Sequence, residues 1–586
     1  MIKDNGMSVK KFFPILSWGK DYRLDFFRDD VVAAIIITMM LVPQSLAYAL
    51  LAGLPPQLGL YASILPLIIY AIFGASSSLS VGPFAISSIM TASALAAVFP
   101  DGDLVNYLAG AAVLALFSGA LLLLFGLLRL GLLSNFLSFP VVSGFISASA
   151  LVIMASQVGH LLGVHSSGGS LLTLVSGLLT QLDYINWYTA LIGVVAYLLL
   201  WLMPANINRL AIAFGCNESW ATFLSKSTPI IVIILSIFLV QFFALDKQGV
   251  VIVGSIPRGL PTLQIATWID LEWDVATWKS LLTSAVLISI IGFVSALSVA
   301  QSFAAKRRER IDPNQEAIGL GMANLASGIS GAFPLSASLS RSAISFNAGA
   351  KTPAAGAFGA VGVGITAVFF TSVLYYLPVA TLAAMIMLAV TSLIDLDAMR
   401  RTWRYSRQDF AAWFLTVVIT LGQGVELGLI SGVMLAIILH LYNSSNPHIA
   451  VLGKLPGTEH FRNVDRHEVE QSEEFVSFRV DESLYFANAR FLEDKVNALV
   501  AEHACAKHFV LLCSAINKID STGLESLNSI NQQLNTAGIK FHLSEIKGPV
   551  LDRLKQADFL DKLSGNVYLS HYQAWTDLAV NDAGVS

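Results

Sequence analysis

The sequence predicts an α-helical polytopic membrane protein that ends in a small soluble α/β domain. Hydrophobic residues make up 55% of the 586 and charged residues 13%, where soluble domains run near about 25% charged. The apolar residues gather in runs that fill Val31 to Tyr442. After His448 the text changes, with roughly two-fifths of all charged residues, the mark of a soluble domain.

Mean hydropathy is +0.69. A chain this long cannot hide that much apolar surface in one soluble core, so lipid takes the excess. Met1 to Asp30 is mixed in charge, with Lys10, Lys11 and Lys20, and reads as a cytoplasmic lead-in rather than a signal peptide. Fourteen membrane segments are expected at 31–51, 58–75, 83–98, 105–128, 137–163, 184–203, 228–245, 280–303, 314–331, 338–348, 355–376, 380–394, 408–422 and 425–442. This gives a domain plan of 1–30, a membrane domain 31–445 and a soluble domain 446–586.

Loop charge sets the expected orientation, because cytoplasmic loops carry excess Lys and Arg. With the N-terminus inside, the inward loops hold Arg129; Arg209 and Lys226; Lys306, Arg307, Arg308 and Arg310; and Arg400, Arg401, Arg404 and Arg407. The outward loops Pro100–Asn106 and Val164–Ile185 contain neither Lys nor Arg. An even count returns the chain inside, so both termini are expected in the cytoplasm.

Two segments are too short and too interrupted for plain spans. One opens at Val81-Gly82-Pro83, the other near Phe333-Pro334 and runs through Ser338 to Gly349. They rank third and tenth, the same place in two sevens. Matching Gly/Pro-broken segments point to inverted repeats (about 31–245 and 280–442) around a midplane binding site.

In the soluble part, Phe475–Val480, Ser483–Ala487, Lys507–Cys513 and Lys540–Glu545 read as strands. Arg490–Glu502, Ser521–Thr536 and Pro549–Gln556 read as helices. This alternation implies a helix-flanked sheet. Cys216, Cys505 and Cys513 form neither a disulfide framework nor a metal cluster, and read as buried thiols. A net charge of −4 suggests no nucleic-acid partner. No nucleophile–base pair or phosphate loop is recognisable, so neither an enzyme nor a cofactor is expected.

An anion inside a bilayer must replace its lost hydration with fixed dipoles and charge. Helix N-termini supply unpaired N–H groups and a positive dipole end. Pro83 suits a first helical turn, with N–H groups at Phe84, Ala85 and Ile86 behind it. Ser338, Leu339, Ser340 and Arg341 open the tenth segment with N–H groups, two hydroxyls and a guanidinium. If the two starts face each other, they make a seat for one small anion. A charge inside a membrane segment is costly and usually functional, which singles out Arg341; pairing with a carboxylate is its structural alternative. Gln44 and Tyr48 lie one helical turn apart and could line the pocket or pack between helices.

Several stretches carry a family likeness. Pro43-Gln44-Ser45-Leu46-Ala47-Tyr48-Ala49, Ala52-Gly53-Leu54-Pro55-Pro56, Gly59-Leu60-Tyr61, Val81-Gly82-Pro83, Ser138 through Phe145, Asn314-Gln315-Glu316, Gly321 through Asn324, Ser340-Arg341-Ser342-Ala343 and Asn347 through Thr352 follow in order over nearly the whole chain. Together they resemble the SulP family, also called solute carrier family twenty-six. Asn517 through Leu524 resembles the motif of STAS domains. The resemblance implies a seven-plus-seven inverted repeat with core and gate domains, an elevator-type cycle and a homodimer. It places the anion at Gln44, Tyr48, Phe84, Ala85, Ser338, Leu339, Ser340 and Arg341.

One position departs from that pattern. Many relatives carry a carboxylate on segment eight, Glu in presumed proton-coupled members and Asp in sodium-coupled ones. Here it is Ser295, and the nearby sodium-binding hydroxyl is replaced by Val299. Serine holds neither a proton's nor a sodium ion's charge near neutral pH. Glu426 could couple instead, though it reads as water-exposed at the outer end of the last span. In STAS relatives the serine matching Ser521 is phosphorylated; the plainer reading is a helix cap at Asp520 or Ser521.

The expected function is therefore secondary transport of a small inorganic anion across the inner (plasma) membrane, with sulfate ahead of bicarbonate and chloride, as a symporter. Ser295 alone favours an uncoupled exchanger or channel for chloride or bicarbonate. A membrane-tethered signalling scaffold acting through the STAS domain is the third reading.

Overall fold

The computed structural model describes residues 12–131, 138–164, 170–213, 224, 225, 227–262 and 273–580. Lys10, Lys11, Cys216 and Lys226 fall outside them. The chain divides into two compact units, Met1–Met434 and Leu435–Ser586.

Membrane-type helices follow one another as α1 (Leu24–Leu51), α2 (Leu65–Phe73), α3 (Ala85–Val98), α4 (Leu104–Leu127), α5 (Phe139–Leu162), α6 (Trp187–Ala213) and α7 (Thr228–Phe242). The second half runs α8 (Val275–Arg307), α9 (Pro313–Ile329), α10 (Leu339–Asn347), α11 (Ala354–Ile365), α12 (Val379–Thr391), α13 (Arg407–Gln423) and α14 (Val425–Ser445). In lipid a backbone must satisfy its own polar groups, and these apolar runs do so as helices. Seven helical stretches among the described residues are long and apolar enough to cross a bilayer. The rest are shorter, α2 and α10 with nine residues each most of all.

The first helix starts at Leu24, seven residues earlier than its apolar run. Its extra turns carry Asp30, which is fully buried. Arg23 at the N-cap is in extended backbone and supplies no side-chain cap. Past the predicted twelfth segment, an additional helix, Leu396–Tyr405, begins where the Asp395 carboxylate accepts from Ala398 N at 2.7 Å.

Helices α4 and α9 approach closely. A methyl group on Gly321 would fall 2.6 Å from Leu123 N, and one on Gly119 would fall 2.6 Å from Leu325 N. Small residues let membrane helices meet backbone to backbone, where van der Waals contact drives association.

The second unit contains a six-stranded sheet ordered β4–β3–β5–β6–β7–β8. Its strands are β3 (Ile449–Lys454), β4 (Phe461–Asn463), β5 (Phe475–Val480), β6 (His508–Leu512), β7 (Lys540–Ser544) and β8 (Val567–Tyr568). β4, β3 and β5 pair antiparallel, and β5 to β8 pair parallel. Crossover helices α15 (Ala489–Glu502), α16 (Ser521–Thr536) and α17 (Gly548–Gln556) connect the parallel strands, as parallel order requires. The expected strand Ser483–Ala487 is instead a turn with one bridge, Leu484 to Ile519. Asn488 takes its backbone groups: Oδ1 accepts from Tyr485 N at 3.0 Å, and Nδ2 donates to Ser483 O at 2.8 Å.

Cys513 is buried, which pushes its thiol up to about 12. Cys505 is exposed, against expectation, because it lies in the loop between α15 and β6.

Two buried histidines predict that this unit loses stability in acid. His571 Nδ1 meets Ser544 Oγ at 2.7 Å, its ring lies 4.4 Å from that of Phe461, and burial pushes it down to about 4. His542 is also pushed down to about 4, by burial and then by His508, 3.1 Å away. The unfolded state therefore binds protons that the folded state refuses. Stability is complete above the unfolded value of about 6.5 and falls as pH drops toward 4. Hydrogen-exchange protection in β5, β6 and β7 is expected to be flat above pH 7 and to decline across that window. His571→Gln is expected to make the decline shallower.

Candidate anion seat at two helix starts

Before α3 and α10 lie two very short strands, β1 (Val81–Gly82) and β2 (Ser336–Ala337). They pair antiparallel, Val81 with Ala337 and Gly82 with Ser336. Paired strands run about 5 Å apart, and because this pair is antiparallel the two helices leave it from opposite ends, each beginning within three residues of the ladder. Ser338 N donates to Ser80 O at 3.1 Å, and Ser80 N donates to Ser342 Oγ at 2.9 Å. Ser87 Oγ adds a bond to Pro334 O at 3.1 Å.

The pairing corrects the reading of Pro83. Extended backbone continues past Gly82, Phe84 is the N-cap and α3 begins at Ala85. Pro83 thus precedes the first turn rather than forming it. The N–H groups of α3's first turn belong to Ala85, Ile86 and Ser87, and no side chain caps them.

Asn324 on α9 holds the strand from the other side. Its Oδ1 accepts from Leu335 N at 2.9 Å and its Nδ2 donates to Leu335 O at 3.1 Å. Ser327 Oγ donates to Phe333 O at 2.7 Å, and Ser336 Oγ to Gly292 O at 2.7 Å. The Asn324 and Ser327 side chains satisfy backbone that neither helix nor sheet reaches, and Ser336 ties the strand to α8. Nothing in the local pattern around Asn324 announces this role, since its partners lie eleven residues away in a loop.

Among the eight expected seat residues, Gln44, Tyr48, Phe84, Ala85, Ser338 and Arg341 are buried. Leu339 is 45% exposed, and Ser340 is half-buried. Ser338 caps α10, its Oγ accepting from Arg341 N at 3.5 Å and lying 3.1 Å from Ser340 Oγ. Arg341 is only 1% exposed. Its Nη1 donates to Gln44 Oε1 at 3.2 Å, which joins α1 to α10. Nε and Nη2 are buried without a hydrogen-bond partner among the described residues. The carboxylate pairing considered for Arg341 is replaced by this amide. Gly82 lies against the guanidinium, with Nη2 3.4 Å from where a methyl group would sit. Tyr48, one turn after Gln44, lies within electrostatic reach of Arg341.

Ser295 on α8 lines a cavity of about 330 Å³ together with Phe84 and Leu339 from the two helix starts. Glu426 is half-buried rather than water-exposed, with Oε1 buried and without a hydrogen-bond partner among the described residues, and Ser284 of α8 beside it. Glu316, in the first turn of α9, is fully buried and accepts from Tyr70 OH at 2.8 Å and Ala75 N at 3.3 Å. In the second unit, Asp520 rather than Ser521 caps α16, accepting from Gly523 N at 2.8 Å. Ser521 is exposed in a depression that Arg553 also lines.

The sulfate permease family profile matches residues 27–416. The chain belongs to that family. A STAS domain matches residues 466–574. Sulfate transporter 4.1, chloroplastic, of Arabidopsis thaliana is 34% identical over 92% of this chain and 78% of its own length. High affinity sulfate transporter 2 of Stylosanthes hamata is 29% identical, with 95% and 85% covered. Among solved structures, SLC26A9 superposes with a TM-score of 0.87 at 22% identity, covering 98% of this chain and 94% of that one. The transmembrane domain of the cyanobacterial bicarbonate transporter BicA gives 0.58 at 20% identity, over 70% and 98%. This sulfate permease family member is thus a multi-pass membrane anion transporter with a C-terminal STAS domain, and not an enzyme.

Proposed function

We propose that the chain is a secondary transporter of small inorganic oxyanions, sulfate first, that binds its substrate between the starts of α3 and α10. The observation that carries this reading is Arg341, buried with two donor nitrogens uncommitted and aimed from the start of a half-length helix. Backbone N–H groups of Ala85 and Ile86, the hydroxyls of Ser338 and Ser340 and the Gln44 amide complete the ligand set, with Tyr48, Phe84 and Leu339 as its walls. A dianion there neutralises a field that would otherwise be uncompensated in low dielectric. Transport proceeds by elevator-type alternating access. The chain works as a homodimer in the inner membrane, with both termini and the domain 446–586 in the cytoplasm. Ser521 is the position for a regulatory phosphate, exposed at a helix start.

The test is uptake of radiolabelled sulfate, bicarbonate and chloride by the purified protein in vesicles. Sulfate is expected to be taken up fastest; vesicles that accumulate none of the three would sink the reading.

Ser295 favours a second reading, uncoupled anion exchange, because no carboxylate stands at that place on α8. Under symport, sulfate uptake rises with an inward proton gradient; under exchange it follows only the opposing anion. Ser295→Glu is expected to steepen the pH dependence of uptake. A flat response in that variant would remove Ser295 as a coupling position.

A further inference from the structure

The cavity beside the seat has chemistry of its own. It runs along α8 past Ser295, Ser298 and Ser302, about 10 Å by helical rise, toward the basic face that carries Lys306 and Arg307. Ser143 of α5 lines the same space. The two helices belong to different packing groups: α5 packs on α12 and α13, α8 on α4 and α3.

Serines in membrane helices commonly return their hydroxyl to a carbonyl one turn back. Ser298 does so at 2.8 Å to Val294 O, and Ser302 at 2.7 Å to Ser298 O. Ser143 and Ser295 do not. Both hydroxyls are buried and without a hydrogen-bond partner among the described residues. Other buried hydroxyls share that condition, Ser88 and Ser149 among them, but these two are the ones that line this cavity. A buried hydroxyl left unmatched is unfavourable, and no bond holds either in its rotamer. Each hydroxyl can therefore turn among its staggered χ1 wells without breaking a hydrogen bond.

We propose that this cavity is a second oxyanion subsite, between the Arg341 seat and the basic face, where one oxyanion accepts hydrogen bonds from Ser143 and Ser295 together. The proposal rests on the anion-transport reading above. The subsite carries no cation, so it holds the ion weakly and releases it. Asp395, which also lines the cavity, has its carboxylate engaged by Ala398 N at 2.7 Å and by Arg401 at 3.7 Å, which offsets its repulsion. The ligands come from two packing groups, so the subsite exists only while the cavity is open between them.

The test uses the full chain in vesicles, with orientation fixed by protease access to the second unit. KM for sulfate is measured separately from the basic face and from the opposite face. Ser143→Ala and Ser295→Ala are each expected to raise the basic-face KM about two- to tenfold, the value of one hydrogen bond. The opposite-face KM stays unchanged, and Ser143→Thr restores the first. Equal shifts on both faces, or none, overturn the subsite. As a check independent of kinetics, sulfate is expected to protect Ser143→Cys from an aqueous thiol reagent, read by the mass of the peptide containing position 143. Labelling indifferent to sulfate overturns the proposal as well. Arg341→Ala run alongside separates the two readings: normal sulfate transport there sinks the seat, whatever the serine variants show.

Discussion

Arg341→Ala is expected to lower sulfate uptake by at least about a hundredfold while leaving a folded protein. Nε and Nη2 have no hydrogen-bond partner among the described residues, and each charge-assisted hydrogen bond contributes about 1.5–3 kcal/mol. Losing both removes about 3–6 kcal/mol of anion binding, and about 1.4 kcal/mol is a factor of ten. The bond to Gln44 Oε1 is lost as well, but relief of a buried charge without a carboxylate partner offsets it, so folding should not suffer. The thermal midpoint in detergent is expected to hold or rise. Arg341→Lys keeps the charge but not the planar fork, so it should retain only part of the uptake. Uptake by Arg341→Ala within twofold of the parent would take the guanidinium out of the seat.

Asp30→Ala is expected to have the opposite signature, with stability lost first and transport lost as a consequence. The Asp30 carboxylate accepts from Lys351 N at 2.7 Å, Thr352 N at 3.2 Å, Thr352 Oγ1 at 2.6 Å and Tyr22 OH at 3.2 Å. It thereby ties the start of α1 to the turn between α10 and α11. Alanine strands the N–H and hydroxyl of buried Thr352, each costing about 1–3 kcal/mol, and removes the partly buried bond from Lys351 N. The expected loss is about 3 kcal/mol or more, measured as a fall in the thermal midpoint of the purified protein. Asp30→Asn keeps one acceptor oxygen and should recover part of it. An unchanged midpoint in Asp30→Ala would show that the turn is held by other contacts.

The contrast between these residues shows what the sequence discloses. Arg341 stood out because a cation in an apolar stretch is rare and costly. The breaks at Val81-Gly82-Pro83 and Phe333-Pro334 stood out because glycine and proline interrupt helices. Both are local signals. Asp30 and Asn324 gave none, because their partners are far along the chain or in irregular backbone. Asp30 even looked like part of the lead-in, since a charged first turn hides where a membrane helix begins. In the second unit the buried strand β6 and the helix α16 were legible from hydrophobic run and period. Strands β3, β4 and β8 were not, because pairing with neighbouring strands, rather than composition, makes them strands. The exposure of Cys505 and the half-burial of Glu426 likewise depend on neighbours that no single stretch reveals.

The β1–β2 ladder also bears on how the protein is made. Ser80 and Ser342, joined through it, lie 262 residues apart. When the first seven helices have left the ribosome, Val81 and Gly82 are an unmatched strand edge in or near lipid, where bare backbone groups are costly. They stay so until the tenth helix arrives. Biogenesis must therefore shelter that edge through most of synthesis, and a chain stopped after the first half should be cleared by quality control rather than persist as a half-transporter.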